Sequence, residues 1–123
     1  MLKFDHLAIV VSNLDVSRAW YVEKLGLQVE FEIAERRSLA LQDSEGFAIF
    51  LVEGALGEPA SRPALWFQVE DVHTSSAGLL GKGVSFVHAP QKIFWGYGAE
   101  IVDPDGYPIR LWDAVSMKEQ SES

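Results

Sequence analysis

Apolar and polar positions alternate, regroup and alternate again along this chain, and the pattern marks two similar blocks. In the first, Phe4–Val11 is an apolar, β-branched run that predicts a strand buried on both faces. Ser12 and Asn13 stop it, and either suits a helix N-cap. Val16, Ala19, Trp20, Val22 and Leu25 then recur at close to helical spacing, so 15–25 reads as a helix. Gly26 falls where a helix ends in the left-handed region. From 27 to 34 the alternation is strict. It predicts a half-exposed strand with Leu27, Val29, Phe31 and Ile33 on one face and Gln28, Glu30 and Glu32 on the other. Strands at 38–41 and 47–53, split by the turn residues Asp43–Gly46, complete a βαβββ block.

The second block repeats the order. A strand at 64–69 precedes a helix at 71–80 with Asp71 as its cap, and Gly83 ends it. A strand at 84–87 runs into 88–98, HAPQKIFWGYG, which reads as a long irregular loop. A strand at 99–102, the turn Asp103-Pro104-Asp105-Gly106 and a last strand at 109–113 follow. Asn13 and Asp71, Asp15 and His73, Ser17 and Ser75, and Ala19 and Ala77 each lie 58 residues apart, so the chain is an internal repeat. The Gly- and Pro-rich stretch 54–63 reads as a linker between modules 2–53 and 64–115, with a polar, frayed tail at 116–123. Each half is too small to hold a core alone, so the 123 residues are taken as one domain of two modules.

Composition narrows the function classes. The net charge of −8 argues against nucleic acid and anionic membrane as partners, both of which need clustered Lys and Arg. No cysteine is present, which removes disulfides, thiolate ligands and a Cys nucleophile. No signal peptide or membrane-spanning run is recognisable, and the expected location is cytoplasmic. Nucleophile-elbow, phosphate-loop and dinucleotide fingerprints are missing, and GYGAE lacks the strand-before, helix-after context of the last.

The paired blocks resemble the vicinal oxygen chelate superfamily, which includes glyoxalase I, extradiol dioxygenases and the bleomycin-resistance proteins. The residues that carry the likeness are HLAIVVSNLD from His6, SRAWYVEKLGL from Ser17, FQVEDV from Phe67 and DPDGYPIRL from Asp103. The likeness spans about residues 2–114. It implies an α+β fold in which two βαβββ modules pair into a curved mixed sheet that forms a cup. It also implies that members usually dimerise, so a homodimer is expected. In the metal-dependent members the first and last strands of each module offer His, Gln or Glu to one divalent ion. The corresponding positions here are His6, Phe50, Ala64 and Arg110. Phe and Ala cannot coordinate, and Arg has no lone pair to give. One His is no metal site, so no metal and no cofactor are expected. A substitute set of His6, His88 and Glu100 is disfavoured because their strand phases do not match.

Strand parity puts Phe50, Trp66, Gln68, Arg110 and Trp112 on the face of the lost ligand positions with His6. Trp95 and Tyr97, from a segment similar to one in the bleomycin-resistance-like branch, belong to a loop that closes over it. The expected function is binding of an aromatic or anionic small molecule without a metal, at His6, Phe50, Trp66, Gln68, Trp95, Tyr97, Arg110 and Trp112. Two alternatives stay open. One is a lyase, isomerase or dioxygenase relative using His6, for which no catalytic residue is assigned. The other is an interaction module whose aromatics fill their own groove.

Overall fold

The computed structural model describes residues 1–121. The expected tail residues 122 and 123 lie outside the described residues. The chain divides into two compact units, Met1–Glu58 and Pro59–Ser123, and the division falls inside the stretch 54–63.

In the first unit β1 (His6–Val11), β2 (Gln28–Ile33), β3 (Ser38–Gln42) and β4 (Ala48–Glu53) form a sheet in the order β1-β4-β3-β2. β1 and β4 are parallel and the other neighbours antiparallel. The βαβββ order puts α1 (Leu14–Leu25) between the first two strands. Its start is fixed by Asn13, whose side-chain oxygen accepts from Val16 N at 3.1 Å, and its end by Gly26 at φ 75°. The buried stripe of α1 is Leu14, Ser17 and Tyr21, which joins Ile9, Val11, Leu39, Leu41 and Leu51 in the core. The expected stripe was different: Val16 and Val22 are exposed. Tyr21, a large side chain wholly removed from solvent, takes the core position instead.

β2 carries a second correction. Its pairing with β3 shifts between Val29 and Phe31, so Val29 faces Leu41 while Phe31 faces Ala40. One extra residue in the strand reverses the side-chain phase beyond it. Phe31 therefore leaves the face of buried Leu27 and is 47% exposed on the other one.

The second unit has the same topology. β5 (Leu65–Gln68), β6 (Phe86–Ile93), β7 (Gly96–Val102) and β8 (Pro108–Trp112) lie in the order β5-β8-β7-β6, with β5 and β8 parallel. α2 (Val72–Gly81) is capped by Asp71, whose carboxylate accepts from His73 N and Thr74 N. The segment 88–98 is not a loop. It closes a β6–β7 hairpin with Phe94 and Trp95 in the turn and Gly96 at φ 129° beyond them. The strand signal in HAPQKI is obscured because pairing shifts between Phe86 and His88 and again between His88 and Gln91. β6 is an edge strand, where Pro90 and its missing N–H are tolerated within such an irregularity. Residues 116–121, expected to fray, belong to α3 (Ala114–Ser121). Met117 of α3 lies directly over Gly96, and its sulfur accepts from Tyr97 N at 3.3 Å.

Both units anchor their helix in the same way. The carboxylate at the end of the last strand accepts the N–H of the first helical residue, which otherwise has no partner. In the first unit Glu53 meets Leu14 N at 2.9 Å; in the second Asp113 meets Val72 N at 2.7 Å and also caps α3 through Ser116 N at 2.6 Å. Arg37 binds Glu53 at 2.8 Å, and that bond, with the Leu14 N–H, lowers the Glu53 carboxyl to about 2. Burial disfavours the charged Asp113, yet the Ser116 and Val72 bonds hold its carboxyl below the ordinary range.

Candidate functional site: an arginine among aromatic rings

The register of the second sheet brings Trp66, Arg110, Glu100 and His88 into one row across β5, β8, β7 and β6. The alternate residues Leu65, Ala99, Ile101, Ile109 and Leu111 are buried in the core, so the row stands on the opposite face. His88 and Glu100, expected to be out of phase, are direct cross-strand partners.

Arg110 donates through Nε to Glu100 Oε1 at 2.9 Å, with the two side chains 21% and 16% exposed. That bond fixes the plane of the guanidinium. Its carbon lies 5.3 Å from the Trp66 ring centroid, 5.5 Å from Phe94 and 5.8 Å from Trp95, within the range of cation–π attraction. The two indoles meet edge to face at 4.8 Å. Trp95 reaches this position because Gly98 has no side chain. A Cβ there would lie 2.6 Å from the Trp95 ring and would collide with the Leu111 carbonyl oxygen. His88 completes the row, 6.4 Å from Trp95 between ring centroids.

Gln68 pairs with Trp112 in the next row of the same face, so both flank the cluster. Tyr97 does not join it. Tyr97 has the parity of Ala99 and Ile101, and its hydroxyl meets His73 Nε2 of α2 at 3.1 Å. The sequence pointed to a ring over the site at position 97, but the hairpin phase turns that ring to the helix side.

His6 and Phe50 belong to the first unit. There the equivalent row is Ala8, Phe50, Ala40 and Phe31. His6 packs edge-on against Phe50 at 5.6 Å and binds the Asp5 carboxylate through Nδ1 at 2.7 Å. One row is thus apolar and the other carries an ion pair framed by rings. The donor sets fit a divalent ion poorly: Phe50 has no donor atom, Arg110 is cationic and Glu100 is engaged by it. Among the described residues no group of three or more His, Cys, Asp or Glu is placed to hold a metal. An open recess elsewhere, lined by Asp15, Arg18, Ala19, Val22, Glu23 and Val29, carries no aromatic ring and no His.

From sequence, Phe94 belongs with Trp95 and Tyr97 to the loop over the binding face and His88 only reaches its rim, while Glu100 is not expected on that face. Counting back from the turn at 103–106 pairs Val102 with Pro108 and hence Glu100 with Arg110, which is the signal that finds Glu100. His88 and Phe94 depend on the irregular hairpin and have no such signal.

Residues 3–111 match the Glyoxalase/Bleomycin resistance protein/Dioxygenase superfamily, and the chain belongs to that family. Among solved structures it is similar to an integron cassette protein from the mobile metagenome of a Halifax Harbour sewage outfall, with 25% identity and a TM-score of 0.76, covering 90% of this chain and 97% of that one. It is similar to TnmS3, an antibiotic binding protein from Streptomyces sp. CB03234, with 24% identity and a TM-score of 0.77, over 92% and 96% of the two chains. It also shares the fold of a lactoylglutathione lyase from Agrobacterium tumefaciens, with 15% identity and a TM-score of 0.74 over 91% and 93%. No curated protein matches the chain significantly.

Proposed function

We propose that this chain is a small-molecule-binding protein that takes a planar, anionic compound at the Arg110 cluster without a metal. The observation that carries the reading is the guanidinium held by Glu100 at 2.9 Å and framed by Trp66, Phe94 and Trp95. No described residue bonds its terminal nitrogens, which are the fork that recognises a carboxylate or other oxyanion. The indoles offer flat apolar surface beside it, and Trp66 is 46% exposed. Trp112 and Gln68 border the same face. TnmS3 is an antibiotic binding protein on the same fold, so the fold is compatible with binding as a function of its own.

The test is titration with 2-naphthoate, a flat aromatic carboxylate, followed by tryptophan fluorescence. Saturable quenching is expected, weakened roughly 10- to 100-fold in Arg110→Ala, as loss of a charge-assisted hydrogen bond implies. Undiminished binding by Arg110→Ala, or no binding by the wild type, refutes the reading. A second reading, a lyase, isomerase or dioxygenase relative that uses His6 with a non-standard ligand set, draws on the bond of its Nδ1 to Asp5, which leaves Nε2 as the ligating nitrogen. A stoichiometric divalent metal in the purified protein, lost in His6→Ala, would establish that reading instead.

A further inference from the structure

The first residues of β7 run past the end of β8. The register that pairs Ala99 with Leu111 would pair Tyr97 with Asp113, but β8 stops at Trp112 and Asp113 caps α3 instead. A thioether meets the Tyr97 N–H: Met117 Sδ of α3 accepts it at 3.3 Å. The sulfur comes this close because position 96 has no side chain. A Cβ there would collide with it, and Gly96 holds φ 129°, which other residues rarely adopt. Ile93 pairs with Gly96, so Phe94 and Trp95 between them form the turn. Met117 therefore fastens the strand end that carries two of the three rings around Arg110. α3 itself is lightly held. Its eight residues, Ala114–Ser121, are too few for a helix that is stable alone. Asp113 at its start and packing on β7 hold it in place. Residues 114–120 all keep some contact with solvent. Transient opening of such an element brings the Met117 sulfur to solvent.

We propose that Met117 is an oxidation site that controls the β6–β7 hairpin: conversion of its thioether to the sulfoxide by hydrogen peroxide releases α3 from β7 and loosens the turn that carries Phe94 and Trp95. A lone pair on sulfur attacks one peroxide oxygen. The S–O bond forms as the O–O bond breaks, the leaving hydroxide takes the proton of the transferred oxygen, and water departs. Sulfur is oxidised by two electrons and the peroxide is reduced by them. The product does not fit the site. It adds an oxygen to a sulfur already seated against Gly96 and the Tyr97 N–H. It also turns an apolar side chain into a polar, chiral one that is better solvated by water than by β7. Enzymatic reduction of the sulfoxide restores the thioether, so the change is reversible. The effect on ligand affinity rests on the binding reading above; the release of α3 does not.

The chain has two methionines, and Met1, which is exposed, serves as the internal standard for oxidant access. Wild type and Met117→Leu, which keeps the apolar bulk without an oxidisable sulfur, are treated with dilute hydrogen peroxide. Peptide mass spectrometry reads the site, hydrogen exchange reads α3 and the Tyr97 amide, and near-ultraviolet circular dichroism reads the Trp66–Trp95 pair. In oxidised wild type the Tyr97 and α3 amides are expected to exchange about tenfold faster or more, as loss of a hydrogen bond and of packing implies, and the dichroism to fall. Binding of 2-naphthoate weakens about 3- to 10-fold, as if the ordered turn were populated roughly a third to a tenth of the time. Treated Met117→Leu keeps its exchange and spectrum, and methionine sulfoxide reductase returns the wild type to its starting values. Met117 left intact once Met1 is fully converted, or oxidised with exchange and spectrum unchanged, overturns the proposal. If α3 is released while the affinity for 2-naphthoate holds, the coupling to the Arg110 cluster is overturned and the binding reading stands. If 2-naphthoate binds neither form, the binding reading falls, and exchange and spectrum still decide the oxidation site.

Discussion

Replacing Arg110 by Met tests whether the Arg110–Glu100 pair holds the cluster together. Met keeps an unbranched apolar stem to about the position of Nε and removes the guanidinium, so the change removes charge and hydrogen bonding while much of the stem packing is kept. Three losses add up. The charge-assisted bond to Glu100 contributes about 1.5–3 kcal/mol. The ring contacts contribute about 0.5–1 kcal/mol each at such partly exposed sites, part of which the Met side chain replaces. Glu100 is left charged and unpaired, a penalty of about 3–5 kcal/mol for a fully buried pair that its 16% exposure reduces. The sum is non-additive, and an overall cost of about 2–4 kcal/mol is expected. Glu100→Gln, which keeps an acceptor for Nε, costs about 1–2 kcal/mol. In the double variant no charge is stranded, so the two costs combine to less than their sum by at least about 1 kcal/mol. Urea unfolding at neutral pH, read as the shift in midpoint at constant slope, measures all four corners of the cycle. The coupling should persist at high salt, because a pair this shielded is weakly screened. Additivity within about 0.5 kcal/mol refutes the reasoning and makes the pair incidental.

Gly98→Ala should destabilise the protein by about 1–3 kcal/mol, since the new Cβ meets the Leu111 backbone as well as Trp95. The near-ultraviolet circular dichroism of the Trp66–Trp95 pair should fall with it; an unchanged spectrum and melting point contradict this. The folded Glu53 carboxyl is lowered to about 2, so the stability it contributes is present above about pH 4 and lost as pH falls toward 2; Asp113, also lowered, contributes in the same direction. Urea midpoints measured between neutral and acid pH should therefore decline less steeply in Glu53→Gln than in the wild type, and equal slopes contradict the assignment. Asp71→Ala should cost about 1 kcal/mol through loss of the α2 cap, seen in thermal unfolding, and no shift means that the cap bonds contribute nothing.

The order of elements was legible because caps and turns speak locally. Asn13, Gly26, Asp71 and the turn at 103–106 all act where their side chains or torsions predict. Irregular strands hid the rest. The shift in β2 reverses Phe31, and the two shifts in β6 conceal a hairpin inside a stretch with Pro and Gly. Arg110, Trp66 and Trp95 were found from parity and composition, and they do meet. Tyr97 was misplaced because a loop has no phase, whereas a hairpin strand does. Sequence alone leaves Glu100 open between a metal ion and Arg110. The same carboxylate that suits an ion also suits a guanidinium, and only the register decides between them.

The most direct test of ligand binding at Arg110 is a nitrogen–proton spectrum of the indole and guanidinium groups during titration with 2-naphthoate. The signals of Arg110 Nε and of the Trp66 and Trp95 indoles should move together and saturate. The Trp20 indole, which packs against Tyr21 in the first unit, should stay in place. Movement of Trp20 with a silent Arg110, or no movement of any signal, would contradict the account.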